Sequence, residues 1–149
     1  MTQKQVRILL AEDDPDDRYL ISEAIDENQL NVQLHIVEDG EELLDFLLQR
    51  GKYANRAEFP LPELILLDLN MPRMDGREAL EAIKNHPDLR RIPVVVLTTS
   101  RAEEDVLRTY DIGISGYIPK PVTFTGLLEV MNAIGIYWLN AARLPPVDR

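Results

Sequence analysis

Apolar residues along this chain fall into two alternating patterns. Five short runs have the length and residue types of strands: Val6–Ala11, Val32–Val37, Leu64–Leu69, Val94–Thr99 and Gly116–Pro119. The third and fourth are apolar without alternation, which suits strands covered on both faces. Helical stripes lie between the runs. Asp14 is a good N-cap, Pro15 a good first helical residue, and Leu20, Ile21, Ala24 and Ile25 form one stripe. Gly40–Arg50 and Asp75–His86 carry similar stripes, a weaker helix is expected near Ala102–Tyr110, and the longest spans about Thr125–Ala142.

Strand and helix alternate five times, so the pattern predicts a doubly wound α/β domain with a parallel sheet and helices on both faces. Pro119 lacks the N–H a central strand must donate, which puts the fifth strand at a sheet edge. That agrees with a flavodoxin-like sheet of order 2-1-3-4-5, where ligands sit at the switch point between the first and third strands. Two segments stand outside the alternation. Gly51–Glu63, "GKYANRAEFPLPE", is longer than most connections of its kind, and long connections are often functional. Residues 143–149 read as a tail behind one domain over residues 1–142, with no effector domain.

Composition narrows the function. Sixteen basic against 26 acidic residues give a net charge of −10, which argues against nucleic acid as a partner. The absence of cysteine excludes disulfides and thiolate metal sites. The apolar start "VRILLA" is too short for a secretory signal, and no window approaches a membrane span, so a cytoplasmic location is expected.

The chemistry gathers where the strands end. The first strand ends in Glu12-Asp13-Asp14, the third in Asp68, the fourth in Thr98-Thr99-Ser100 and the fifth in Lys120-Pro121. In a parallel sheet these ends share one rim. Crowded carboxylates repel unless a cation joins them, and a hard divalent ion with oxygen ligands is the natural one. Mg²⁺ fits better than Ca²⁺, because the oxygens are too few for an all-protein cage. A lysine and a hydroxyl facing the same spot suit phosphoryl oxygens, and a carboxylate between them is a plausible nucleophile.

With "EDD", "LLDLNMPRMDG", "VVVLTTS" and "GYIPKP" in this order, the chain resembles the receiver domains of two-component response regulators over residues 6 to about 140. The resemblance implies that Asp68 accepts a phosphoryl group. It implies further that Asp13 and Asp68 bind Mg²⁺, with the Asn70 backbone carbonyl as a third ligand and Glu12 acting through water. Thr98 and Lys120 would contact phosphoryl oxygens, and Tyr117 would move with Thr98 as an aromatic switch. The long segment before the third strand and the "IYWLNAARLP" end resemble the stand-alone regulators of cyanobacterial and bacterial phytochrome histidine kinases. Such a kinase is then the expected phosphodonor, with output through an unknown downstream protein. The expectation is a signalling switch and not an enzyme beyond its own phosphorylation and dephosphorylation. The rival is an aspartyl-nucleophile phosphohydrolase, which would want a second aspartate where this chain has Asn70.

Blander readings apply elsewhere. Asp14, Asp16 and Asp17 read as helix N-terminal acids, His35 and His86 as surface or satisfied residues, and Met71 and Met74 as packing. In the last helix Leu127, Met131, Ile134 and Trp138 can face the sheet. Leu128, Val130, Tyr137, Leu139 and Ala141 lie off that line, so the helix and the Leu144–Pro146 tail are expected to form a homodimer face. The Lys120–Pro121 bond is expected to be cis, in a tight turn aiming the ammonium at Asp68.

Overall fold

In a computed structural model that describes residues 5–146, the alternation becomes a five-stranded, all-parallel sheet. The strands are β1 (Val6–Ala11), β2 (Val32–Val37), β3 (Leu64–Leu67), β4 (Val94–Thr98) and β5 (Gly116–Pro119), in the order β2-β1-β3-β4-β5. The helices are α1 (Pro15–Glu27), α2 (Gly40–Leu48), α3 (Gly76–Asn85), α4 (Glu103–Ile112) and α5 (Phe124–Ile134). Fold class and strand order are those expected, and β5 lies at the edge where Pro119 donates to no neighbour.

Two cores flank the sheet. Every residue of β3 and β4 is buried, so their unbroken apolar runs serve both faces. One face packs Leu9, Ile65, Val94 and Val96 against α2 and α3 through Leu43, Phe46, Leu80 and Ile83. The other packs Ile8, Leu66 and Val95 against α1 and α5 through Ile21, Ile25, Leu127 and Met131. The starts of the helices follow side-chain chemistry: Asp14, Asp39, Asp75 and Thr123 each cap a helix by accepting backbone N–H groups.

The segment after α2 is not a loose connection. A 3₁₀ turn at Gly51–Tyr53 buries Tyr53, whose hydroxyl donates to Glu42 Oε2 at 2.5 Å. Tyr53 joins Phe46, Phe59 and His35 in a cluster with ring centroids 4.8–5.9 Å apart. Burial lowers the His35 pKa, which keeps its ring neutral among the other three.

The end of the chain differs in detail from the expected single helix. The α-helix stops at Ile134 and continues as a π-helix over Gly135–Ala141. A Cβ at Gly135 would press on the end of the Leu30 side chain, so glycine lets Leu30, in the loop before β2, pack closely on the helix. Leu127, Met131 and Ile134 are buried as expected, and Trp138 packs on the same core. Leu128, Val130 and Leu139 also rest partly buried against it, which leaves Ile136 and Tyr137, 58% and 57% exposed, with the small Ala141, as the free apolar residues of its last turns. Residues 147–149 of the expected tail lie outside the described residues.

Candidate phosphoacceptor and cation site

Parallel register sets the rim. Ala11 pairs with Leu67, so Glu12 and Asp68 leave adjacent strands at the same level, and the Asp68 amide donates to the Ala11 carbonyl at 3.1 Å. Thr98 pairs with Pro119, and the Lys120 amide donates to the Thr98 carbonyl at 2.7 Å. Four strand ends thereby converge on one carboxylate.

Asp68 is 5% exposed, a costly place for a charge unless its oxygens are satisfied. They are. Oδ1 accepts from the Thr98 hydroxyl at 2.7 Å and from the Asn70 amide at 3.1 Å, and Oδ2 accepts from Lys120 Nζ at 3.1 Å. A Cβ at Gly76 would collide with the Asp68 carbonyl oxygen, so glycine lets the following loop fold tightly beside it.

Lys120 is shared. Besides Asp68 it pairs with Glu12 Oε1, and with Asp17 Oδ2 at 2.8 Å. Burial alone would lower its pKa, but the hydrogen bonds to Asp17 and Glu12 and the Asp68 charge outweigh that and hold it above the usual lysine value. Glu12 is 1% exposed, and burial pushes its carboxyl up to about 8 against the pull of the Lys120 hydrogen bond. One ammonium among three acidic side chains leaves the rim short of positive charge, and without a cation Glu12 meets the shortage by holding its proton.

The deficit has a counterpart in geometry. Glu12, Asp13 and Asp68 each offer a carboxylate oxygen within 4.8 Å of the other two. Hard oxygen donors at that spacing fit a divalent cation. The rim thus brings together the expected residues Glu12, Asp13, Asp68, Asn70, Thr98 and Lys120. Tyr117 stands behind them, packed on the core, and its hydroxyl donates to the Ser100 carbonyl at 2.9 Å.

Three features lie outside the local sequence pattern. Asp17 has the signature of a helix-start acid, yet its carboxylate accepts from Lys120 Nζ across 103 positions. Arg73, at the left-handed φ of 65°, donates to the buried Asp39 through Nε at 3.0 Å and Nη2 at 2.6 Å. This ties the loop after Asp68 to the start of α2, and the pairing holds a backbone conformation that non-glycine residues rarely adopt. Arg77, finally, grips Asp105 on α4 with Nε at 2.8 Å and Nη2 at 2.7 Å. One expectation fails. The described residues contain no cis peptide bond, so Lys120–Pro121 is trans. Lysine's four-carbon stem reaches Asp68 from the trans backbone, and no cis turn is needed to aim it.

Comparison with known proteins agrees with this geometry. The response regulator receiver domain model matches residues 8–132. Over 138 residues the chain is 44% identical to the response regulator Rcp1 of Synechocystis sp., covering 93% of this chain and 92% of that one. Among solved structures it is similar to the phosphorylated cyanobacterial phytochrome response regulator RcpA, with TM-score 0.89, 42% identity, and 96% and 100% of the two chains covered. It is also similar to the Mn²⁺-bound form of Rcp1, with TM-score 0.86, 42% identity, and 95% and 99% covered. The chain belongs to the response regulator receiver domain family.

Proposed function

We propose that Asp68 is the phosphoacceptor of this receiver domain and that a phytochrome-type histidine kinase is its donor. The observation that carries the reading is the Asp68 carboxylate itself, buried and held by a hydroxyl, an amide and an ammonium beside two further carboxylates. A carboxylate oxygen of Asp68 attacks the phosphorus of a phosphohistidine. The new P–O bond forms as the P–N bond breaks, and the imidazole leaves with the electron pair. Lys120 and Thr98 then turn from the carboxylate to the phosphoryl oxygens, and Tyr117 follows Thr98. Glu12, Asp13, Asp68 and the Asn70 carbonyl would hold Mg²⁺, Glu12 through water; when bound, the ion would neutralise the crowded oxygens and offset the charge of the incoming phosphoryl group.

Similarity to the cyanobacterial phytochrome response regulator RcpA supports the phytochrome pairing. Output through a downstream protein and a homodimer through the last helix and the tail belong to the same reading; exposed Ile136 and Tyr137 support the dimer. Among the described residues no helix is long and apolar enough to cross a membrane. The test is incubation with Mg²⁺ and acetyl phosphate, followed by mass spectrometry and peptide mapping. One slowly lost phosphoryl group on Asp68 is expected. Continuous release of phosphate without a stable adduct would instead mark a phosphohydrolase.

A further inference from the structure

Beyond the groups that touch Asp68, a chain of polar contacts holds the loop between β4 and α4. Ser100 sits at its centre. The Ser100 hydroxyl donates to Asp105 Oδ2 at 2.6 Å, its carbonyl accepts from Tyr117, and its amide faces Thr98 Oγ1 at a long 3.5 Å. Asp105 is in turn gripped by one edge of the Arg77 guanidinium, through Nε and Nη2, and Arg77 Nη1 donates to Asp75 Oδ2 at 3.3 Å. Asp75 caps α3 at the far end of the loop that follows Asp68. The side chains of Arg77 and Asp105 are only 20% and 15% exposed, and a two-pronged pair of this kind fixes direction as well as distance. The hydrogen bonds of Arg77 and Ser100 hold the Asp105 carboxyl well below the usual range, at about 2, so the pair stays charged near neutrality.

These contacts join the loop that follows Asp68 to the loop that follows Thr98, and neither Arg77 nor Asp105 touches Asp68 or Thr98 itself. We propose that Arg77 and Asp105 are positioning residues: through Ser100 they hold the β4–α4 loop so that the Thr98 hydroxyl is already aimed at Asp68. The inference rests on Asp68 being the phosphoacceptor. With the loop held, the hydroxyl need not be ordered during phosphoryl uptake. With it released, that ordering is added to the barrier.

The test measures phosphoryl uptake from acetyl phosphate at saturating Mg²⁺ on the full chain. Arg77→Gln, Asp105→Ala and the milder Ser100→Ala are compared with wild type, each also in a Thr98→Ala background, with folding checked by circular dichroism. The expected result is uptake about five- to tenfold slower in the Arg77 and Asp105 variants, the size of one ordinary hydrogen bond, and a smaller slowing for Ser100→Ala. Calorimetric Mg²⁺ affinity should stay within about twofold of wild type, because the hydroxyl is not a cation ligand. The slowing should vanish in the Thr98→Ala background, where no hydroxyl remains to aim. Equal slowing with and without Thr98 would overturn the inference and leave the contacts a purely structural role. Wild-type rates in all three single variants would overturn it as well, with Asp68 still the acceptor. If the wild-type protein takes no phosphoryl group on Asp68, the proposed function fails and this inference with it.

Discussion

The carboxyl rim of the sheet and the aromatic corner beneath residues 51–63 solve opposite problems. At the corner, His35, Phe46, Tyr53 and Phe59 close on one another in edge-to-face and tilted pairs, and the polar tip of Tyr53 is bound by Glu42. Each ring there packs against the other three, and the Tyr53 hydroxyl has its acceptor. At the rim, Glu12, Asp17 and Asp68 compete for the single Lys120 ammonium, so adding or removing one charge can redistribute every contact. Apolar packing is insensitive to a charge a few ångströms away, whereas a buried ionic cluster is governed by it. A switch needs both kinds of region: one that changes, and a frame that does not follow.

Separating the two regions by mutation should give effects of graded size. The largest is expected for Asp68→Asn, which should abolish phosphoryl uptake while circular dichroism shows an unchanged fold. The substitution is nearly isosteric and removes one of the crowded charges, so the metal-free variant should be at least as stable as wild type. Uptake at the wild-type rate on another residue would remove Asp68 from its assigned role.

At the corner, Phe46→Ala should destabilise the fold by about 3–5 kcal/mol in denaturant titration, since Phe46 is 3% exposed and the rings around it cannot collapse to fill the space. Uptake at Asp68, measured well below the unfolding midpoint, should change little. A large loss of uptake in the folded variant would show that the frame and the switch are not independent.

Divalent cation should act on the rim alone. Mg²⁺ at about 100 times its dissociation constant should raise unfolding stability by roughly 2.7 kcal/mol, through mass action on a site the unfolded chain lacks. Asp13→Asn should shrink that gain, and Phe46→Ala should keep it in full. A wild-type thermal midpoint indifferent to Mg²⁺ would speak against the cation site.

The smallest expected effect concerns acid. The Asp105 carboxyl lies at about 2 in the folded chain against an ordinary 3.8, through its hydrogen bonds with Arg77 and Ser100. A depressed carboxylate stabilises the fold above its unfolded pKa, and that contribution is lost as pH falls through the folded value. Allowing for its partial exposure to solvent, the contribution is about 1–2 kcal/mol. Asp105→Asn should therefore be less stable than wild type by that amount near pH 6, and the gap should close as pH falls towards about 2. A gap that persists undiminished in acid would mean that packing, not charge, makes the difference.

Local periodicity was enough to lay out the frame and most of the rim. Alternating periods specified five strands and five helices, and Pro119 marked the edge. Because all strands of a parallel sheet end on one side, the residues that follow each strand, from Glu12 and Asp13 through Asp68 and Thr98 to Lys120, could be read as neighbours. What lay beyond reach were contacts between side chains of different elements. Asp17 was indistinguishable from any helix-start acid until α1 was seen beside Lys120. Arg73 and Asp39 are 34 positions apart, Arg77 and Asp105 28, and nothing in the local pattern of either partner names the other. His35 looked unremarkable until residues 51–63 folded Tyr53 and Phe59 over it. The exposed stripe of the last helix proved narrower than its apolar residues suggested, because Leu128, Val130 and Leu139 also found the core. Periodicity records which face of an element is apolar; only tertiary structure decides how wide a face its neighbours cover, and which charges meet across the gap.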